Sequence, residues 1–292
     1  MKILISKLPT SGWWSSGIPK YQDNPAMREG ERPNHSKLVA EREKLISILK
    51  KENQTIVEID FPTRLDQKNP KHDFIFVRDQ FISNQRDLVL ILRSGERLRR
   101  IENIVMGDIL NKFNYNIIKM PDTPGLRADG GEFYFCAKEN ILFSGIQRNT
   151  LSGINYVVET LKIDELLILD GKGYHLDTFF TPVLNSQNLL CATIVCDEIL
   201  TNKSKRDLYE FSKRRNLPIF KVPLKDSIGT LENIGSFSVN ALPLPGVLIS
   251  PNHFTNKSID RDLSELGVKR VITPTSQFEL SGGSIHCLTN EL

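Results

Sequence analysis

The chain has 292 residues, 39% of them hydrophobic and 25% charged, with a formal net charge of +3. These are ordinary values for a soluble globular protein large enough to bury its own core, so neither a disulfide framework nor a structural metal is needed for stability. Acidic residues interrupt the basic runs 93–100 (RSGERLRR) and 203–215, which read as solvated helix faces. No nucleic-acid partner is expected, and the RNP, zinc-finger and helix-turn-helix signatures are absent.

In chain order, short apolar runs bounded by turn residues alternate with helical patterns. A strand is predicted over 2–5. The clearest helix covers His35–Lys51, where Leu38, Leu45, Ile48 and Leu49 fall on one stripe. Strands follow at 55–59, 74–76 and 88–92, then a helix over 98–113. Strands at 133–136 and 141–143 precede a helix over 149–161. Strands at 166–169 and 189–195 flank no clear break, and a short helix follows at 208–214. A strand at 246–249, a helix at 259–266 and a strand at 270–272 complete the series. Strands and helices mixed throughout mean an α/β or α+β protein. No Pro-rich or Gly/Ser-rich linker divides it, so residues 1–292 are read as a single domain.

The four cysteines, Cys136, Cys191, Cys196 and Cys287, form no CxxC pair and no zinc-ligand spacing. They are too sparse for a disulfide network, which points to a reducing compartment. The first apolar run is too short for a signal peptide, and no stretch approaches a membrane span. A cytoplasmic protein with no membrane partner is expected.

Four segments stand apart in composition. Phe76-Val77-Arg78-Asp79-Gln80-Phe81 holds a charged pair inside an apolar, strand-like run. Asp129-Gly130-Gly131-Glu132 precedes the run 133–136. The others are Gly173-Tyr174-His175-Leu176-Asp177-Thr178 and Gly282-Gly283-Ser284-Ile285-His286-Cys287-Leu288-Thr289. Taken singly, each has an ordinary explanation: a structural ion pair, a glycine turn, a local hydrogen bond, a small core thiol.

Together they place Asp79, Asp129, Glu132, His175, Asp177 and Cys287 in apolar, glycine-flanked surroundings. Buried charge needs a partner. With no metal-ligand spacing and no cofactor motif evident, the natural counter-ion is a substrate cation. A planar guanidinium fits, because a carboxylate accepts two parallel N–H bonds from it. A cysteine beside that cation would be favoured as the nucleophilic thiolate. Attack on the central carbon leaves a nitrogen that needs a proton, which a histidine can carry. If residues 286–287 are extended, His286 and Cys287 point to opposite faces, which leaves His286 structural. The same alternation would set His175 and Asp177 on one face.

The pieces FVRD (Phe76 to Asp79), DGGE (Asp129 to Glu132), HLDT (His175 to Thr178) and GGSIHCLT (Gly282 to Thr289) resemble, in this order, the pentein superfamily of guanidino-group-modifying enzymes. That family includes arginine deiminases, agmatine deiminases, dimethylarginine dimethylaminohydrolases and amidinotransferases. The resemblance implies an α/β fold, a five-bladed α/β propeller with pseudo-fivefold ββαβ repeats. Compatible intervals separate Asp79 from Asp129 (50 residues), Asp129 from His175 (46) and His175 from Cys287 (112). One repeat would then contribute near Glu232, in TLEN.

Carried over position by position, Cys287 attacks the guanidino carbon and His175 is the acid/base. Asp129 holds the guanidinium and orients the histidine. Asp79 and Asp177 are further guanidinium carboxylates, and Arg148, in GIQRNT, binds a substrate carboxylate. Asp177 implies an unmethylated guanidinium, since enzymes of the family that act on methylated arginine generally lack an acid there. The implied reaction is hydrolysis of arginine or a related guanidino compound. Transfer of the amidino group to an amine uses the same residues and stays open, as does a non-catalytic binding role. The resemblance allows a homo-oligomer. Residues 12–32 match nothing in the pattern; they would form a loop over the pocket or pack Trp13 and Trp14 into the core.

Overall fold

The computed structural model describes residues 1–292 apart from Gln22, Asp23, Lys68 and Leu231. Its elements, in chain order, start with β1 (Lys2–Ser6), α1 (His35–Lys51) and β2 (Thr55–Ile59). There follow β3 (Phe81–Ser83), β4 (Leu88–Ile91), α2 (Arg100–Leu110) and β5 (Asn116–Lys119). Next come β6 (Phe133–Cys136), β7 (Ile141–Ser144), α3 (Leu151–Leu161) and β8 (Glu165–Ile168). The fourth group is β9 (Phe180–Leu184), β10 (Leu190–Val195), α4 (Asn202–Arg215) and β11 (Ile219–Lys221). The fifth is β12 (Leu242–Leu244), β13 (Val247–Ser250), α5 (Ser258–Glu265) and β14 (Lys269–Ile272), before α6 (Ile285–Leu288) and β15 (Asn290–Glu291).

One pattern recurs five times among the described residues. Two antiparallel strands lead into a helix, and the next strand returns parallel to the second. A parallel return needs a crossover of a dozen or more residues, and the helix supplies it. Where the chain ends meet, β15 pairs antiparallel with β1, and β1 pairs parallel with β2, so the two chain ends complete one sheet. The α/β class and the repeated ββαβ unit are thus present.

The chain divides into two compact units. The first comprises Met1–Gly131, Arg148–Lys162 and Thr275–Leu292, and the second Glu132–Gln147 and Ile163–Pro274. The first holds the sheets β15-β1-β2 and β3-β4-β5. Its core includes Ile3, Leu4, Val89 and Leu90, with the α1 stripe of Leu38, Leu45, Ile48 and Leu49. Each such side chain contributes about 1.5–3 kcal/mol on burial. Asn34 caps α1 by accepting from the Lys37 N–H. The second unit holds the other three sheets around Phe143, Phe180, Phe211, Leu248 and Leu263.

The expected strand at 74–76 is absent. Residues 72–75 and 77–80 are 3₁₀ turns, and the strand begins at Phe81. His72, Asp73, Arg78, Asp79 and Gln80 are all buried there. A ladder would turn alternate residues to opposite faces, whereas a 3₁₀ turn fans them around its axis. Strands β3, β5, β9, β11, β12 and β15 were not expected. β5 and β11 are part-exposed and carry polar residues. Pro182 and Pro243 read as breakers in sequence, but both lie in edge strands of their sheets, where a missing N–H is tolerated.

The glycines of Asp129-Gly130-Gly131-Glu132 do not serve positive φ, which neither adopts. They allow close approach. A Cβ on Gly130 would lie 1.9 Å from the Arg78 carbonyl oxygen and 3.1 Å from that of Phe81. Gly130→Ala is therefore expected to cost about 2–4 kcal/mol of stability, because backbone rather than a side chain must move. A urea midpoint unchanged from wild type would contradict this packing.

Candidate active site

Cys287 sits in the single turn α6 and is 3% exposed. The segment is helical, not extended, so His286 and Cys287 diverge by the helical step of about 100° rather than by strand alternation. His286 is buried, and its carbonyl accepts from Arg78 Nε at 3.3 Å. Gly282, at φ +82°, supplies the left-handed residue that starts the bend. A Cβ on Gly283 would meet the Phe76 ring at 2.4 Å, so the turn lies flat on that ring. Asn290, just beyond α6, donates to the carbonyls of Val77, Arg78 and Phe81 at 3.1, 3.3 and 2.9 Å. Arg78 pairs with Glu291 at 2.6 Å. These bonds fasten the cysteine segment to the 77–80 turn, and Arg78 is a brace, not the partner of Asp79.

Residues 12–32, as far as they are described, brace the same turn. Trp13 and Trp14 are core residues, 2% and 4% exposed. Trp14 Nε1 donates to Asp73 Oδ1 at 3.1 Å, and Ser281 Oγ donates to the same oxygen at 2.9 Å. Arg28 N donates to the Leu280 carbonyl at 2.8 Å.

Asp79 pairs with Arg99 and accepts from Gly131 N at 3.2 Å. Arg99 also contacts Glu102 at 2.8 Å and donates to the Asp73 carbonyl at 3.0 Å. Burial raises the Asp73 carboxyl against the lowering effect of Arg99, and burial carries Glu102 up to about 7. Two buried acids pair with one guanidinium and a third, Asp73, lies close by, so the cluster favours a further positive charge or a proton. The expectation of a solvated face at 93–100 fails at Arg99, which is 4% exposed. Asp129, fully buried, accepts from Gly95 N at 2.8 Å, and its own N–H donates to Asn149 Oδ1 at 2.8 Å. It pairs with Arg148 at 3.5 Å. The structure thus brings Asp129 and Arg148 together, with Asp79 held to Gly131 two residues on.

His175 and Asp177 belong to the second unit. His175 has extended backbone and is 2% exposed, and a 3₁₀ turn covers Leu176–Thr178. The strand alternation expected for this pair is therefore replaced by a turn. Glu132 is fully buried beside it and accepts from Leu176 N through Oε2 at 2.8 Å. Gly145 makes room for that carboxylate, since a Cβ there would lie 1.7 Å from Oε2. Asn240 donates to the Asp177 carbonyl at 3.1 Å. Glu232 is exposed, whereas Asn240 is one of the buried polar groups of that region; Leu231 lies outside the described residues.

No family model and no curated protein matches the sequence. Solved structures do match. One is the N-terminal domain of ArgZ, covalently bonded to a reaction intermediate, at TM-score 0.78 and 20% identity, covering 99% of this chain and 96% of that one. The same domain with bound product is described as an arginine dihydrolase from the ornithine-ammonia cycle in Cyanobacteria, with the same score and coverage. A DDAH from Pseudomonas aeruginosa, in a Cys-to-Ser mutant complexed with citrulline, matches at TM-score 0.73 and 15% identity, covering 100% of this chain and 98% of that one. The fold is the pentein fold. AgrE, a longer relative in structure, matches over 39% of its own length. No described helix is long and apolar enough to cross a membrane, and no described group of three or more His, Cys, Asp or Glu could hold a metal.

Sequence reasoning assigned no role to Arg99, Asp73 or Asn240. Arg99 sits in a polar run, and Asn240 follows a loop without periodicity; neither carries a local signal. Arg99→Ala strips the cation from three buried acids and is expected to lower stability by about 3–5 kcal/mol. A loss below about 1 kcal/mol in urea unfolding would show that the acids are not held by that charge.

Proposed function

We propose that the protein hydrolyses the guanidino group of arginine or a related compound, with Cys287 as nucleophile and His175 as proton carrier. One observation carries the reading. The fold matches, over nearly the whole chain, an arginine dihydrolase domain caught with a covalent reaction intermediate, and this chain presents Cys287 on a braced one-turn helix.

The thiolate of Cys287 attacks the guanidino carbon, and the C=N electron pair moves onto nitrogen. His175 protonates the departing nitrogen, the C–N bond breaks, and an S-linked thiouronium remains. Water then adds to the same carbon while His175 takes its proton. Collapse expels the thiolate and leaves a carbonyl where nitrogen was. The sum is guanidine plus water to urea-type product plus ammonia or amine. Asp79 and Asp177 clasp the cation, and Arg148 receives a substrate carboxylate. Asp129, paired with Arg148, orders that arginine in addition to its guanidinium role. Glu132, bonded to the backbone N–H of the residue after His175, steadies the turn that carries the imidazole. An acid at the position of Asp177, which family members acting on methylated arginine generally lack, favours an unmethylated substrate.

The test is a panel of arginine, agmatine and methylarginines, with and without an amine acceptor, and mass detection of a Cys287 adduct. Arginine-type substrates are expected to release ammonia or amine; an amidinated acceptor would redirect the reading to group transfer. Cys287→Ser and His175→Ala are each expected to lower kcat by about 10³-fold or more with the fold retained. Substantial turnover in either variant rejects these roles.

A further inference from the structure

We propose that Glu279 is a positioning residue for the nucleophile turn, acting through Ser284, and that its proton sets the geometry from which Cys287 reacts. The proposal rests on the reading of Cys287 as nucleophile.

Three oxygens form a closed triangle beside α6. Thr275 Oγ1 and Ser284 Oγ are 2.6 Å apart, and each lies 3.1 Å from Glu279 Oε1. Three edges at hydrogen-bond distance need three protons. The two hydroxyls supply two, and the third comes only from a neutral carboxyl. With Glu279 ionised, one edge sets two oxygens against each other with no proton between them. The Thr275–Ser284 edge gives way, since the carboxylate draws both hydroxyl protons.

Ser284 is the N-cap residue of α6, yet its side chain makes no capping bond. An N-cap hydroxyl ordinarily accepts from the second or third helical N–H, and the third here belongs to Cys287. The triangle withholds that hydroxyl, so the state of Glu279 reaches the nucleophile through one residue. Glu279 is also joined to the bend by its carbonyl, which accepts from Gly282 N at 2.9 Å.

The surroundings agree with a neutral carboxyl. Burial raises Glu279 from 4.5 to about 7, against the lowering effect of Thr275 and Ser284. The charged groups facing it are on α1. Glu41 raises it further, and Lys37, which reaches Glu41 at 4.0 Å, lowers it. Glu41 is itself occupied with Ser276 Oγ and Gln277 N at 2.7 and 2.9 Å, which anchors the 275–277 segment to α1. With the folded value above the unfolded one, the neutral form's stabilisation is complete below pH 4.5. It is lost as pH rises through about 7.

Glu279→Gln keeps an uncharged head that both donates and accepts, so it holds the triangle at every pH. The experiment compares wild type, Glu279→Gln and Glu279→Ala across pH 5.5–8.5. It measures kcat, KM and the site-resolved rate of Cys287 alkylation by iodoacetamide. The ratio of Glu279→Gln to wild type, in kcat and in alkylation rate, is expected near unity at low pH and to rise roughly threefold or more by the alkaline end, with KM unchanged. Glu279→Ala is expected to be slower by roughly tenfold throughout. A ratio flat across pH, with active wild-type enzyme, overturns the proposal and leaves the nucleophile intact. A wild-type protein with no turnover and no Cys287 alkylation at any pH overturns both.

Discussion

A single buried arginine organises the acid-rich part of the first unit. Arg99 contacts Asp79, Glu102 and the backbone of Asp73, and all four residues lie beneath the surface. One positive charge cannot neutralise three carboxylates in a low-dielectric interior, so the balance is met by protons or by an incoming cation. A chain of net charge +3 can thus hold a local surplus of negative charge inside. Net charge describes the surface, whereas binding depends on local imbalance inside.

The groups proposed to react are carried by short turns, not by the regular elements. Cys287 rides on one helical turn, Asp79 on a 3₁₀ turn, and His175 precedes another. Such pieces have no stability of their own, since a helix nucleus is costly and one turn returns few bonds. Their positions come from outside: Asn290 and Arg78 for the cysteine segment, Gly131 N for Asp79, Glu132 for the histidine turn. The sheets fix the strands, and side-chain-to-backbone bonds then fix the turns. The glycines at 130, 145 and 283 permit this by letting a carbonyl, a carboxylate and an aromatic ring approach the backbone closely.

Much of the element series was readable because strands buried in these sheets are short apolar runs, and α1 carries a clean apolar stripe. The same reading failed where burial was polar. The run 74–76 looks like a strand by composition, yet its neighbours His72, Asp73, Arg78 and Asp79 all find partners inside, which a pleated ladder would not allow. Arg99 and Glu279 show the limit from the other direction. Each lies in a segment whose composition suggests solvent, and each is drawn inward by partners far away in sequence or around a bend.

Residue order alone determined the alternation of strands and helices, the four segments of unusual chemistry and the resemblance they carry, because those features depend on neighbours within a few positions. Only tertiary structure decided which charges are buried together. Asp129 meets Arg148, Arg78 meets Glu291 instead of Asp79, Glu132 meets the turn after His175, and Asn240 meets the Asp177 carbonyl. The physical reason is that an ion pair or hydrogen bond is set by distance in space, and the close approaches that create it arise from backbone packing that no local pattern encodes.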